Sequence, residues 1–402
     1  MAQTWPVTRG KRFAIAIVDA VGRAATPILR RLWPPRSADG APVKRILVIE
    51  LWLIGDVVLV TPLLQALREQ FPEAEISLLG KPHAEELLRH SGLVDEFIIF
   101  DFPWTATTGK YRPSRYDRRA IGELIARLRR QNFDLTIDSR MDVRSNLLTF
   151  TTGAPKRIGY DFGGGSYLLT DALPAAPDDD HKVHDWLMLA EALGGARSGE
   201  CRTAVELGRQ YKPRLSVTDE EREEALRRLQ SLGFEEADRI IGIHPGASRP
   251  EGRWPLEDFA WVADCLSSRH STKSLVFLDP SNHGASMHLR AHAAFIRTSI
   301  REMMAALTHC DVLICNDSGP MHIADALEVP VVGVFTTGNP VWHRPFGDGQ
   351  IAVGHGTGHA RVADPTRTEV LAAAEEQLRR SRGRRSAGGG REDAMAGAPG
   401  AR

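Results

Sequence analysis

Three short constellations hold the polar residues that could do chemistry in this chain. The first is the turn Asn316-Asp-Ser-Gly-Pro320 with His322 just beyond it, set between the apolar runs Asp311-Val-Leu-Ile-Cys315 and Val331-Val-Gly-Val-Phe335. It reads as a strand, a tight turn and a helix start, with Pro320 suited to the first turn. First-turn amides without partners and the helix dipole favour an anion, so a nucleotide diphosphate is the ligand expected there. Ser318 and Gly319 offer a hydroxyl and amides, and Asp317 can orient the turn through its backbone. His322 is read either as an added phosphate donor or as an ordinary core histidine. The second constellation is His244-Pro-Gly-Ala-Ser248 followed by Arg253-Trp-Pro255. Its small-residue loop lets a diphosphate approach closely. Arg253 either bridges two phosphate oxygens or stands in solvent while Trp254 and Pro255 pack a helix start. The third is Gly55-Asp56, after the apolar run Arg45-Ile-Leu-Val-Ile-Glu-Leu51. A carboxylate at that place accepts a proton from a hydroxyl, caps a helix, or does both.

Absent motifs narrow the chemistry. No Gly-x-Gly-x-x-Gly follows the first strand, no P-loop is present, and no Asp-x-Asp pair is poised between strands for a metal-held diphosphate. Asp178-Asp-Asp180 beside His181 reads as a solvated charge cluster. A leaving diphosphate would then be met by amides, a helix dipole and cations, with no metal and no cofactor. Of the four cysteines, Cys201, Cys265, Cys310 and Cys315, none forms a Cys-x-x-Cys pair. Cys310 and Cys315 flank one apolar strand and read as core thiols in a reducing compartment.

The elements that must carry these turns alternate along the chain. Strands are expected at Arg45–Leu51, Ala74–Leu79, Phe97–Phe100 and Leu135–Asp138, with helices at Leu63–Gln70, Glu85–His90 and Ile121–Arg130 between them. After loop-rich stretches at Pro174–Asp180 and Gly194–Glu200, strands recur at Ile240–His244, Leu275–Leu278, Asp311–Cys315 and Val331–Phe335. Ser299-Ile-Arg-Glu302 is a capping box. This order implies an α/β chain with parallel sheets and crossover helices, in two successive halves with a cleft between them. In such sheets ligands gather beyond the C-terminal strand ends, where all three constellations fall. At 402 residues two domains are expected, 43–208 and 209–378, flanked by an N-terminal extension over 1–42 and a disordered tail over 379–402. The formal net charge of +0 supplies no global field to steer nucleic acid, and none is expected as a partner. No apolar run is long enough to span a bilayer. Phe13, Ile17, Val21, Ala24, Ile28 and Leu32 recur at helical spacing among Arg9, Lys11, Arg12, Arg23, Arg30 and Arg31. A basic amphipathic helix over 9–33 is therefore expected, lying on an anionic membrane surface, packed on the domain, or frayed as an extension.

Taken in order, these motifs resemble the bacterial family 9 glycosyltransferases, the heptosyltransferases of lipopolysaccharide core assembly. The likeness runs from about Arg45 to Gly347. It rests on Ile46-Leu-Val-Ile-Glu-Leu-Trp-Leu-Ile-Gly-Asp56, Phe133-Asp-Leu-Thr-Ile-Asp138, Arg157-Ile-Gly-Tyr160, His244-Pro-Gly-Ala-Ser248, Arg253-Trp-Pro255 and Asn316-Asp-Ser-Gly-Pro-Met-His-Ile-Ala324. The resemblance implies a GT-B fold, two Rossmann-like domains facing across a cleft. It implies an inverting, metal-independent transfer of a heptose, usually from ADP-L-glycero-D-manno-heptose, to a lipid-linked core glycan on the cytoplasmic side of the membrane. It makes Asp56 the base and gives the donor diphosphate to Asp317, Ser318, Gly319 and His322, with Gly246, Ala247, Ser248 and Arg253 lining the same pocket. Three departures fall on the donor side. Gly252 stands where the family often has a lysine, Asp279-Pro-Ser-Asn-His283 has no glutamate to meet the ribose, and Thr336-Thr-Gly-Asn-Pro340 replaces a Gly-Pro-Thr loop. Two other readings share this plan: a nucleotide-sugar-binding relative with altered donor or lost catalysis, and a sugar-nucleotide epimerase.

Overall fold

The structure, a computed structural model, describes residues 9–36, 42–105, 116–174, 180–194, 203–278, 293–354 and 365–395. The chain forms two compact units, Met1–Arg214 and Leu215–Arg402. The first is built on β1 (Arg45–Ile49), β2 (Glu75–Gly80), β3 (Glu96–Ile99), β4 (Leu135–Asp138), β5 (Lys156–Tyr160) and β6 (Asp171–Leu173). Their order is β3-β2-β1-β4-β5-β6, all parallel. Ile46, Leu47, Val48 and Ile49 of β1 are wholly buried, as an unbroken apolar run must be when helices cover both sheet faces. Ile49 sits opposite Leu79 on one side and Asp138 on the other.

The second unit repeats the plan with β7 (Arg239–His244), β8 (Thr272–Leu278), β9 (Ala293–Arg297), β10 (Val312–Asn316), β11 (Val331–Val334) and β12 (Ile351–Val353). The order is β12-β11-β10-β7-β8-β9, again parallel. Each sheet reverses its winding once, between β1 and β4 in one unit and between β7 and β10 in the other. Loops leaving adjacent strands diverge at that point and open a crevice, which is where such sheets bind ligands. Asp56 follows β1, and the His244–Ser248 and Asp317–Gly319 loops follow β7 and β10. The topology alone brings these residues to the two crevices.

Local chemistry sets the helix starts. Ser299 and Glu302 close the expected capping box: the Ser299 hydroxyl accepts from the Glu302 amide at 3.3 Å, and the Glu302 carboxylate accepts from the Ser299 amide at 2.7 Å. The cores are contiguous; that of the second unit joins Ile241, Ile243, Trp254, Phe259, Val312 and Val334. Cys310 and Cys315 are buried, and burial pushes both thiols up, as core cysteines should be.

At the C-terminal end the last helix extends into the expected tail. A helix runs Arg367–Met395, past Arg379 where the sequence suggests a disordered tail. As far as Ser381 the helix is held by local pairing. Arg379 and Arg380 both reach Glu376, and the buried Ser381 hydroxyl donates to Asp311 Oδ1 at 3.2 Å. At the other end a helix spans Arg9–Leu32, as its spacing predicts. It lies on the first unit: Asp19 accepts from the Gly165 amide at 2.7 Å, and the Trp33 indole donates to the Thr151 carbonyl at 3.2 Å. The loop at 279–283, Cys201 and Asp178-Asp179 lie outside the described residues.

Candidate functional site

In the second unit the crevice between β7 and β10 is clamped by Asn316. This wholly buried amide donates to the Pro245 carbonyl at 2.7 Å and accepts from the Trp254 amide at 3.0 Å. One side chain thereby fixes the end of β10, the loop after β7 and the Arg253-Trp254 turn against one another. Trp254 is buried beneath, its indole donating to the Pro365 carbonyl at 2.9 Å. Gly246 and Ala247 are buried in the loop, while Ser248 is exposed at its tip. The Arg253 guanidinium folds back onto the Ala247 carbonyl, with Nε and Nη2 each 3.2 Å from it. Arg253 is thus neither free in solvent nor merely a packing residue; it braces the loop and keeps a partly exposed head beside it.

The Gly319–Ala326 helix starts at this crevice. Ser318 does not cap it: its hydroxyl donates to the Asn316 carbonyl at 3.1 Å. Pro320 has no N–H, and the Met321 amide is bonded to the Ser318 carbonyl at 3.1 Å. That leaves the Ser318 and Gly319 amides at the helix mouth, where an anion would meet them. His322 is buried one turn in, with its Nδ1 lacking a hydrogen-bond partner. Burial, assisted by His343, holds its pKa at about 3, so the ring is neutral. Such a ring serves an anion as a hydrogen-bond donor and not as a cation. Burial raises Asp317 to about 7 against the pull of Arg249. Its Oδ2 would lie 3.2 Å from a Cβ on Gly338, whose φ of +89° also calls for glycine. Gly252 has room: a Cβ there would meet Thr337 Oγ1 at 3.5 Å and the Ala247 methyl at 3.7 Å, both ordinary contacts.

In the first unit Asp56 occupies the third position of the short Ile54–Leu59 helix. One carboxylate oxygen accepts from the Leu53 amide at 3.1 Å, and the other lies 3.8 Å from Arg140 Nη1. Asp56 is therefore not the N-cap, which is Leu53; it closes the helix start from the third position and remains partly exposed. Arg140 leaves β4 at the crevice and stacks on the Trp52 ring, 3.1 Å from its centre. It also lies 3.7 Å from Glu50, a wholly buried carboxylate that accepts from the Ser139 hydroxyl at 2.6 Å, the Trp52 amide at 3.1 Å and the Trp186 indole at 3.2 Å. Burial raises the Glu50 pKa; Arg140 opposes it and the Asp56 charge adds to it. Asp138 next door is pushed by burial to about 8, with Ser145 and the Arg140 amide as its partners. Sequence reading misses Glu50, Trp52, Asp138 and Arg140 as site residues. A charged residue ending the apolar run Ile46–Ile49 is the one local signal for Glu50. Arg140 reaches it only through the β1–β4 pairing.

Comparison with known proteins identifies the family. The family described as "Glycosyltransferase family 9 (heptosyltransferase)" matches residues 121–370, more than half of the chain. Lipopolysaccharide heptosyltransferase 2 of Escherichia coli is 27% identical over 75% of this chain and 85% of its own. Lipopolysaccharide core heptosyltransferase OpsX of Haemophilus influenzae is 21% identical over 75% and 82%. Among solved structures, the family 9 glycosyl transferase from Veillonella parvula superposes with a TM-score of 0.69 at 23% identity, over 85% of this chain and 99% of that one. The Escherichia coli ADP-heptose heptosyltransferase II gives 0.67 at 23%, over 84% and 99%. These structures share the GT-B architecture of two Rossmann-like units. The protein is a glycosyltransferase, and it belongs to glycosyltransferase family 9, the heptosyltransferases.

Proposed function

We propose that the chain transfers a heptose from ADP-heptose to a lipid-linked lipopolysaccharide core glycan at the cytoplasmic side of the membrane, with inversion and without a metal. Support for the sugar comes from relatives whose names specify lipopolysaccharide heptosyl transfer. The observation that carries the donor site is the Gly319 helix mouth beside His322, a buried ring with an unpartnered nitrogen. An ADP diphosphate fits that chemistry. The Gly319 amide and the neutral His322 ring donate to phosphate oxygens. Gly246 and Ala247 give close backbone access, while Ser248 and Arg253 supply a hydroxyl and a charge.

The reaction is one displacement. The acceptor hydroxyl oxygen attacks the anomeric carbon from the face opposite the diphosphate. Its proton passes to the Asp56 carboxylate, the bond from the anomeric carbon to the phosphate oxygen breaks, and the electron pair leaves with ADP. A positioned base accounts for roughly 10²–10⁴-fold in rate. Donors aimed at the departing phosphate add an electrostatic contribution. Arg140, with Nη1 3.8 Å from the carboxylate, holds Asp56 in place for that step.

The test begins with a thermal-shift panel of ADP-, UDP- and GDP-sugars, since a ligand of the folded state raises the melting temperature. Transfer assays with a heptose-free and a heptose-bearing lipid core acceptor follow, with and without EDTA. Stabilisation by ADP-heptose and EDTA-resistant transfer are expected. Preference for a UDP- or GDP-sugar, or loss of transfer in EDTA, would refute the corresponding part.

A further inference from the structure

The Arg9–Leu32 helix, about 36 Å long by its residue count, is held to the first unit by one face only. Asp19 takes the Gly165 amide, Arg23 Nη2 reaches the Ser166 hydroxyl at 3.3 Å, and Gly22 packs on the Tyr167 ring. The opposite face is apolar and open: Phe13 is 70% exposed, Val21 64%, Ile28 63% and Leu32 71%, with Ile17 between them. These positions fall one or more turns apart on a single stripe.

Charge says what covers the stripe. The helix carries six basic residues, Arg9, Lys11, Arg12, Arg23, Arg30 and Arg31, and one acid, Asp19, in a chain whose formal net charge is +0. The acid is turned inward onto Gly165, while Arg31 is exposed at the edge of the stripe. A second copy of this helix would bring like charges together. An anionic lipid surface meets the arginines and takes up the apolar side chains.

We propose that this stripe docks the first unit on an anionic bilayer surface. The contact also has a route to the chemistry. The loop holding Gly165 lies directly against the backbone before the Val143–Thr151 helix: a Cβ on Gly163 would sit 1.8 Å from the Met141 carbonyl, so only glycine fits. Asn146 ties the same loop down, donating to the Gly164 carbonyl at 2.8 Å. Met141 follows Arg140, whose Nη1 is 3.8 Å from Asp56. The helix is therefore braced on the segment that orients the proposed base, and docking fixes that base relative to the lipid surface. Docking itself does not depend on which sugar is moved.

Co-sedimentation of the full chain with vesicles tests this without any sugar donor, so its result stands apart from that of the transfer assay. Phosphatidylcholine vesicles containing phosphatidylglycerol should bind at least about tenfold more tightly than phosphatidylcholine alone, and high salt should remove the difference. The double variant Val21→Asp, Ile28→Asp should lose about tenfold or more in binding to the anionic vesicles. Both sites are exposed, so its unfolding midpoint should match the parent's. Leu232→Asp, an exposed apolar site elsewhere, should bind as the parent does. Equal binding to both vesicle types, parental binding by the double variant, or loss of binding by Leu232→Asp would overturn the proposal. So would a dimer in lipid-free solution that Val21→Asp, Ile28→Asp dissociates, which would make a second copy the occupant.

Discussion

The Arg140 guanidinium carbon lies 3.1 Å from the centre of the Trp52 ring, and this stacking aims one cation at two acids, Glu50 at 3.7 Å and Asp56 at 3.8 Å. Glu50 is wholly buried and cannot stay charged without its neighbours. Arg140→Leu should therefore lower the unfolding free energy by about 3 kcal/mol, the usual cost of stranding a buried charge. Adding Glu50→Gln to that variant should recover part of the loss. Urea titrations of the two single variants and the double variant close the cycle; simple additivity would mean that the pair is not coupled.

Asp56 has a structural duty and a proposed chemical one, and a single variant separates them. Asp56→Asn keeps an oxygen for the Leu53 amide, bonded at 3.1 Å, but cannot take a proton. The folded state and donor KM should change little while kcat falls roughly 10²–10⁴-fold. A kcat within a factor of two of the parent's would remove Asp56 from the chemistry.

Gly252 stands where the resemblance leads one to expect a lysine, and its surroundings tolerate a side chain, with contacts of 3.5 and 3.7 Å awaiting a Cβ. Gly252→Lys should fold normally and place an ammonium near the proposed diphosphate. Affinity for ADP should rise by about tenfold, a charge-assisted hydrogen bond's worth. Titration calorimetry against ADP and adenosine separates a phosphate effect, seen with ADP alone, from a general change in the pocket.

How legible the fold is depends on how local each signal is. Strands β1, β4, β7, β10 and β11 are central and apolar, and their runs stand out. β5 escapes because Lys156, Arg157 and Gly159 interrupt it, and β6 and β12 because edge strands of three residues carry too little pattern. The Asn316–His322 turn shows in the sequence because strand, turn and helix are contiguous there. The Glu50–Arg140 pair does not, because ninety positions of chain separate residues that only the parallel β1–β4 register brings together. Asn316 is visible as a turn residue, but its role as a clamp depends on Pro245 and Trp254, which reach it from another strand's loop.

That clamp makes its own prediction. Asn316→Leu keeps the volume but leaves the buried Trp254 amide and the Pro245 carbonyl without partners. Stability should fall by about 2–4 kcal/mol, near the cost of two stranded buried groups. Nucleotide binding should weaken further than the stability loss explains, because the loop after β7 is no longer held to β10. Asn316→Asp keeps the acceptor for Trp254 but sets a buried carboxylate against the Pro245 carbonyl, so it should fall at least as far. Unfolding curves and ADP affinities of Asn316→Leu that match the parent's would contradict the clamp.

His322 is the clearest source of pH dependence. Its folded-state pKa of about 3 lies well below the ordinary 6.5 because burial disfavours the imidazolium. Below pH 6.5 the unfolded chain therefore takes a proton that the folded chain refuses, and stability falls as pH drops towards 3. The slope is about 1.4 kcal/mol per pH unit, giving about 2 kcal/mol between pH 6.5 and 5. Asp317, raised to about 7, acts in the opposite sense over the same range: the folded chain keeps a proton that the unfolded chain releases above pH 3.8, so its contribution falls as pH rises. The parent's pH profile mixes the two, and the difference between parent and His322→Gln isolates the histidine. Denaturant unfolding from pH 7 to pH 5 should show the parent losing stability relative to the variant by roughly one proton's slope. A parallel pair of curves would mean that His322 titrates as an exposed ring, and the neutral donor at the helix mouth would be lost with it.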